Sequence, residues 1–534
     1  MSIERRMGIG VMAVLALLAM TVAGCGGSGL EQVQLDSGPI TGAQEEAGGE
    51  VLWVFKGIPY AAPPIGELRW KPPQPVASWE EPLPCTSFGP SCPQPSQVGL
   101  LPLDVGETGE DCLYLNVWSP AGSPEERLPV MVWIHGGSFE TGSGSMAVYG
   151  GQDVAALGVV VVTINYRVGP LGFLVHPALS AESPEGISGN YGLLDEIAAL
   201  QWVQRNIAAF GGDPANVTVF GESAGAISVL DLLVSPMAEG LFAKAIAQSA
   251  ILLDHGFGVT TASTLEAGEE TGAALVERLG VDPAGDVAAQ LRAKTPEELV
   301  AAAEELAEEP ELMERGLAWK PVADGHVLPD LPTKLWATGA QHSVPLLIGS
   351  NADEGNTFLA GLTVSAEDFN AQMEQVFGDH ADEAKALYPV ADQEDIVPMF
   401  SRTLTEVGFA STVRMAARAM SPVSPTFVYH FTRVPFGNPL GAFHGVEIPY
   451  VFGTVDLFTG LGKIEQADYD LSGAIMGYWT RFAATGDPNG GDAPAWPRYD
   501  PSSDRHLELG DAIRVGAGLS KEACDLADRV RGLD

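Results

Sequence analysis

The chain has 534 residues, 46% of them hydrophobic and 18% charged, which is enough apolar surface to close a large core. Its 28 Lys and Arg stand against 69 Asp and Glu, a formal net charge of −41. A surface of that sign repels nucleic acid and anionic lipid headgroups, so polyanion binding is excluded.

At the N-terminus, Arg5 and Arg6 precede an apolar run from Met7 to Ala23. The run ends in Val22-Ala23-Gly24-Cys25. Charge, apolar stretch and small residues in that order predict a secretory signal over residues 1–24. The V-A-G-C ending resembles the lipobox of bacterial lipoproteins. That resemblance implies cleavage before Cys25, acylation of its sulfur, and a membrane-surface partner reached through lipid rather than a spanning helix. The expected location is the bacterial cell envelope or the surrounding medium. Residues 25–31, with Gly26-Gly27-Ser28-Gly29, predict a linker, and residues 32–534 a single domain. Without Cys25, four cysteines remain, Cys85, Cys92, Cys112 and Cys524. An even number in an exported chain predicts disulfides, and four cysteines allow three pairings.

Buried-strand patterns recur at Val130–Ile134, Val159–Ile164, Val217–Phe220, Val344–Ile348 and Phe427–Phe431. These nearly continuous apolar runs suit a parallel sheet covered on both faces. Helical patterns lie between them, including Leu193–Asn206 and Ala224–Leu233. Alternating strands and helices predict an α/β fold with a large, mostly parallel central sheet. From Ser263 to Arg315 the composition turns to Ala, Glu and Leu, predicting amphipathic helices inserted as a cap, either over the site or as a solvated insertion without substrate contact.

The chemistry centres on Gly221-Glu222-Ser223-Ala224-Gly225, the only G-x-S-x-G in the chain. A strand pattern precedes it and a helix pattern follows, the context in which a sharp turn lifts a nucleophilic serine above the sheet edge. A second glycine turn, His135-Gly136-Gly137-Ser138-Phe139, follows the strand ending at Ile134. Gly136 and Gly137, with the N–H of Ala224, are candidates for an oxyanion hole. Gly142-Ser143-Gly144-Ser145-Met146-Ala147 imitates a dinucleotide fingerprint but lacks the strand and helix that such a site needs. Asn216-Val217-Thr218 fits a glycosylation sequon but enters a buried strand. No metal-ligand cluster and no nucleotide loop is legible, so neither metal nor cofactor is expected.

Taken in order, further motifs bear a family resemblance. They are Gly57-Ile58-Pro59-Tyr60-Ala61, Gly66-Glu67-Leu68-Arg69-Trp70, Glu110-Asp111-Cys112-Leu113-Tyr114-Leu115-Asn116, Asn165-Tyr166-Arg167, Asn206 through Asp213-Pro214, and the serine motif. Spread over residues 32 to 528, they resemble the type B carboxylesterases, the cholinesterase and para-nitrobenzyl esterase branch of the α/β hydrolases. The resemblance implies a serine esterase working through an acyl-enzyme, with Ser223 as nucleophile. It identifies His444, in His444-Gly445-Val446-Glu447-Ile448-Pro449-Tyr450, as the base, over His135, His326 and His430. It identifies Glu354 as the acid, with the neighbouring Asp353 as competitor. It also implies a Cys92–Cys112 disulfide; Cys85 and Cys524 are left over, and whether they bridge the C-terminal tail to the N-terminal region stays open.

The stretch between Cys92 and Cys112 contains no Phe, Tyr or Trp, so the aromatic that would hold a choline ammonium is missing there. The expected substrate is therefore a small or medium aliphatic or aryl ester. A silent recognition protein of the same fold is an alternative, as is an amidase or lactonase with the same triad. Glu222 has two readings: its charge favours imidazolium on His444, or it only accepts structural hydrogen bonds.

Overall fold

A computed structural model describes residues 29–98, 101–102, 104–253, 260–309, 312, 316–460 and 463–532. The signal segment, Cys25 and most of the linker lie outside these residues. Among the described residues no helix is long and apolar enough to cross a membrane.

Eleven strands make the central sheet. In chain order they are β1 (Ala43–Ala47), β2 (Glu50–Pro59), β3 (Tyr114–Ser119), β4 (Leu128–Ile134), β5 (Val160–Ile164), β6 (Gly212–Glu222), β7 (Lys244–Gln248), β8 (Leu346–Asn351), β9 (Thr426–Phe431), β10 (Arg505–Leu509) and β11 (Arg514–Ala517). Their order across the sheet is β11-β10-β9-β8-β7-β6-β4-β5-β3-β2-β1. Pairing is parallel from β10 through β5 and antiparallel at both margins. This is the α/β-hydrolase architecture expected from the sequence. All five predicted apolar runs are strands, because residues facing either way are buried. On β4, Val130, Val132 and Ile134 join one core, while Met131 and Trp133 join a second on the opposite face.

The helix α1 spans Tyr191–Asn206 and α2 spans Ala224–Leu232, both where the sequence predicts them. The predicted insertion forms α3 (Leu265–Arg278), α4 (Val287–Arg292) and α5 (Pro296–Ala307). Each begins at a side-chain cap, Thr264, Asp286 and Thr295 respectively, which occupies an otherwise unpaired backbone N–H. Arg69 holds the insertion down. Its guanidinium pairs with both carboxylate oxygens of Glu110 at 2.6 Å, and its Nη1 reaches the carbonyls of Leu291, Arg292 and Lys294 at the end of α4. Further on lie α6 (Gly355–Leu359), α7 (Gln393–Thr403), a π-helical stretch Leu404–Ala410, α8 (Ser411–Met420) and α9 (Gln466–Thr485).

Cys92 and Cys112 are bonded, as the family pattern implies. Cys85 and Cys524, whose pairing the sequence leaves open, are not joined to each other. Both are free and buried, and they belong to different parts of the fold. Cys85 exchanges backbone bonds with Thr41 and Lys56, near the β2 margin. Cys524 lies on the last helix, Lys521–Arg531, against the carbonyls of Glu406 and Leu519.

Candidate active site

A single residue separates β6 from α2, and that residue is Ser223. Its backbone has φ +56° and ψ −125°, a strained conformation for a residue with a side chain. The flanking glycines are required by space. A Cβ on Gly225 would come within 2.1 Å of the Ile134 carbonyl oxygen, and one on Gly221 within 2.5 Å of the Gly225 oxygen. The Ser223 N–H donates to the Gln248 carbonyl at 3.0 Å, which pins the turn to the end of β7.

The second glycine turn leaves β4 beside this serine. A Cβ on Gly136 would lie 2.8 Å from the Glu222 carbonyl oxygen and 3.0 Å from Ser223 Cβ. Gly137, Ser138 and Phe139 follow with φ of +113°, +57° and +61°. Among the described residues, the N–H groups of Gly136, Gly137, Ser138 and Ala224 make no hydrogen bond. Four free donors thus lie on the two turns that meet at Ser223. The small pocket at Ser223 is lined by Ser138 and Ala224, with apolar walls from Ile251, Phe358 and Phe409. Thr261 and Leu317 also line it, so the two flanks of the insertion reach the pocket while α3, α4 and α5 do not.

The histidines sort by environment. His135 is fully buried, stacks on Tyr166 at 4.4 Å between ring centroids, and has its Nδ1 2.8 Å from the Gly136 carbonyl. Burial pushes its pKa down to about 4, which leaves it a neutral support for the glycine turn. Gly142 serves the same packing: a Cβ there would meet His135 Nδ1 at 2.3 Å. His326 is exposed on a loop turned by Asp324, and His430 faces His506 on the neighbouring strand.

His444 meets a carboxylate through Nδ1, with Glu354 Oε2 at 2.6 Å. The other Glu354 oxygen accepts the Asn351 N–H at 2.7 Å, and the whole group is buried. Asp353 is committed elsewhere, its Oδ2 accepting the Ala442 N–H at 2.8 Å. The His444 N–H donates to Thr357 Oγ1 at 3.1 Å, which ties the histidine loop to α6. Nε2 of His444 has no hydrogen-bond partner and lies 3.2 Å from Glu222 Oε1. The rings of Phe358 and Phe409, which line the Ser223 pocket, are 5.0 and 5.1 Å from the imidazole. No direct Ser223–His444 hydrogen bond is formed; such bonds often tighten only when substrate binds.

Three buried carboxyl groups surround this one imidazole. Burial alone depresses the His444 pKa, but attraction to Glu222 and Glu354, with the Glu354 hydrogen bond, outweighs it and carries the pKa up. Burial also pushes Glu222 up, opposed by His444 and reinforced by Glu447 and Glu354. Glu447, raised chiefly by burial, is held by Asn351 Nδ2 at 2.6 Å and Gln248 Nε2 at 3.1 Å.

Several of these residues carry no signal in the sequence alone. Ser138 stands inside the glycine motif, but its approach to the pocket depends on two successive left-handed residues. Glu447 is within the histidine motif, and its burial beside Glu354 is set by the distant β8. Phe358 and Phe409 belong to no motif.

A strained serine on a strand–helix turn, free N–H donors and a carboxylate–histidine pair at the sheet's edge define a serine hydrolase of the α/β class. Comparison with known proteins narrows this: the carboxylesterase family model matches residues 30–527, and the chain belongs to that family. It is 39% identical over 491 residues to the fumonisin B1 esterase of Sphingopyxis macrogoltabida, covering 90% of this chain and 87% of that one. It is 40% identical over 471 residues to the para-nitrobenzyl esterase of Bacillus subtilis strain 168, covering 86% and 92%. Among solved structures, a PNB esterase superposes with a TM-score of 0.81 and a thermophilic PNB esterase with 0.82, each at 38% identity over 93% of this chain and 99% of the other. The protein is a carboxylic ester hydrolase.

Proposed function

We propose that Ser223, His444 and Glu354 form the catalytic triad of an esterase for small or medium aliphatic and aryl esters. The observation that carries this reading is the 2.6 Å contact of Glu354 with His444 Nδ1, which leaves Nε2 unpartnered beside the strained Ser223 turn. In the reaction, His444 takes the Ser223 hydroxyl proton as the oxygen attacks the ester carbonyl. Glu354 holds the ring tautomer and offsets the imidazolium charge. Backbone N–H groups of Gly136, Gly137 and Ala224, with that of Ser138 beside them, stabilise the oxyanion. His444 then returns its proton to the leaving alcohol, and water repeats the cycle on the acyl-enzyme.

The small apolar pocket supports uncharged acyl groups. The names of the relatives support the class: para-nitrobenzyl esters carry an aryl group. The test is hydrolysis of a panel of p-nitrophenyl esters and acylcholines by the parent and by Ser223→Ala. The expectation is faster p-nitrophenyl ester turnover and a Ser223→Ala variant that is folded and inactive; retained turnover would overturn the nucleophile.

Residues 1–24 are read as a cleaved lipoprotein signal and the mature chain as anchored at a membrane surface of the cell envelope through acylated Cys25. The V-A-G-C sequence supports this. Cys25→Ser should move the enzyme from the membrane to the soluble fraction; unchanged membrane retention would refute the anchor.

A further inference from the structure

We propose that Phe409, carried inward by the π-helical stretch Leu404–Ala410, sets the acyl-chain limit of this enzyme. The inference rests on Ser223 being the residue that is acylated.

The helices α7 and α8 and the π stretch between them run without a break from Gln393 to Met420. A π stretch fits an extra residue into the helix and displaces carbonyls from their usual N–H partners. Hydroxyls take up these carbonyls. Thr405 donates to Ser401 O at 2.9 Å, Thr412 to Gly408 O at 2.7 Å, and Ser411 to Val407 O. Two of the same hydroxyls fasten the rod to the site. Thr405 Oγ1 accepts the Gly355 N–H at 2.9 Å, next to Glu354, and Thr412 Oγ1 accepts the Leu252 N–H at 3.0 Å, next to Ile251. Gly408 permits the close approach, since a Cβ there would lie 2.7 Å from Ile251 Cδ1.

The Ser223 pocket is therefore walled on this side by buried side chains. Ile227, Ile251 and Phe409 line it and are buried, whereas Phe358 is exposed and stacks on Phe409 at 5.9 Å. The acyl group stays on Ser223 while the alcohol departs, so the alcohol needs an exit and the walled side suits the acyl chain. Chain length is then decided by the ring on that side.

The test is kcat/KM for p-nitrophenyl esters from acetate to decanoate with the parent, Phe409→Ala and Phe409→Leu, alongside acetate esters of increasing alcohol size. One methylene in an apolar pocket is worth about tenfold or more in discrimination. The expected result is a rise of about tenfold or more in the octanoate-to-acetate ratio for Phe409→Ala and a smaller rise for Phe409→Leu. The rank order of the alcohol series should stay as in the parent. An unchanged or lower octanoate-to-acetate ratio in a folded variant overturns the proposal, as does a shift confined to the alcohol series. If Phe409→Ala does not fold, Phe409→Leu is read by the same criteria. Activity surviving in Ser223→Ala overturns the triad, whereas an unchanged ratio in Phe409→Ala, with Ser223→Ala inactive, overturns only the role of Phe409.

Discussion

Glu222 Oε1 lies 3.2 Å from His444 Nε2, while Glu354 meets the other ring nitrogen, Nδ1. The imidazole is thus held between two carboxyl groups, and the one beside the nucleophile in sequence is also beside the base in space. Of the two readings of the acidic residue before the serine, this contact favours the electrostatic one, in which its charge helps raise the His444 pKa.

Removing that charge gives a pH prediction. Activity needs neutral His444, and Glu222 favours the protonated form. Glu222→Gln should therefore lower the His444 pKa and move the acid limb of the kcat/KM–pH profile to lower pH. A profile that superposes on the parent's leaves Glu222 with a packing role only.

Adjacent acids should separate in the same assay. Glu354→Gln keeps the shape but removes the carboxylate that sets the His444 tautomer, and kcat should fall by about 10⁴. Asp353→Asn keeps an oxygen that can accept the Ala442 N–H and removes only the charge, so it should keep kcat within about tenfold and cost no more than about 1 kcal/mol of stability. Equal losses in kcat would contradict the assignment of Glu354 over Asp353.

Gly136→Ala places a methyl 2.8 Å from the Glu222 carbonyl and 3.0 Å from Ser223 Cβ, so the glycine turn must move off the serine. Losing aligned oxyanion donors costs about 10²–10³ in kcat. Steady-state kinetics should show that loss mainly in kcat, with KM little changed.

A pair of carboxyl groups behind the site makes a stability prediction. Glu196 on α1 and Asp231 on α2 are both fully buried, and Ser228 donates to Glu196 Oε1 at 2.8 Å. Neither Glu196 Oε2 nor either Asp231 oxygen has a hydrogen-bond partner. Also close to Glu196 are the Arg167–Asp195 ion pair, Tyr60 and Tyr166. Burial raises both carboxyl pKa values, Asp231 and Asp195 adding to the effect on Glu196. Folding then favours the protonated forms. Their stability is fully present below the unfolded carboxylate range and is lost as pH rises toward the folded values, by about 1.4 kcal/mol per pH unit for each proton retained. Asp231→Asn should flatten the fall in thermal stability as pH rises above the unfolded carboxylate range. Parallel Tm–pH curves for parent and variant would count against it.

The residue patterns reveal the central strands because each is apolar on both faces, a local property. They miss β7, whose Lys244 and Gln248 ends interrupt the apolar run, and the flanking strands β1, β2, β3, β10 and β11, the last of them mostly exposed. The triad could be named from motifs because Ser223 and His444 stand in tightly constrained turns. Spacing did not separate Glu354 from Asp353. The structure does, because one carboxylate points to the imidazole and the other to a backbone N–H. Phe409 was illegible for a related reason: its place depends on a change of helical pitch and a glycine packed on Ile251.

The bracing behind the site has a consequence for how the enzyme comes to life. Ser223 N–H bonds Gln248 O; the Gln248 side chain bonds both Glu447 and the Trp479 indole; Glu447 bonds Asn351, whose N–H bonds Glu354. Apart from the local bond between Asn351 and Glu354, each link joins segments remote in sequence, and the one from Trp479 is the most C-terminal of them. A nascent chain released before that helix is made lacks the final brace, and one stopped before His444 has no base. Ester hydrolysis during refolding should consequently lag behind the return of helical signal and report the arrival of the fully assembled sheet.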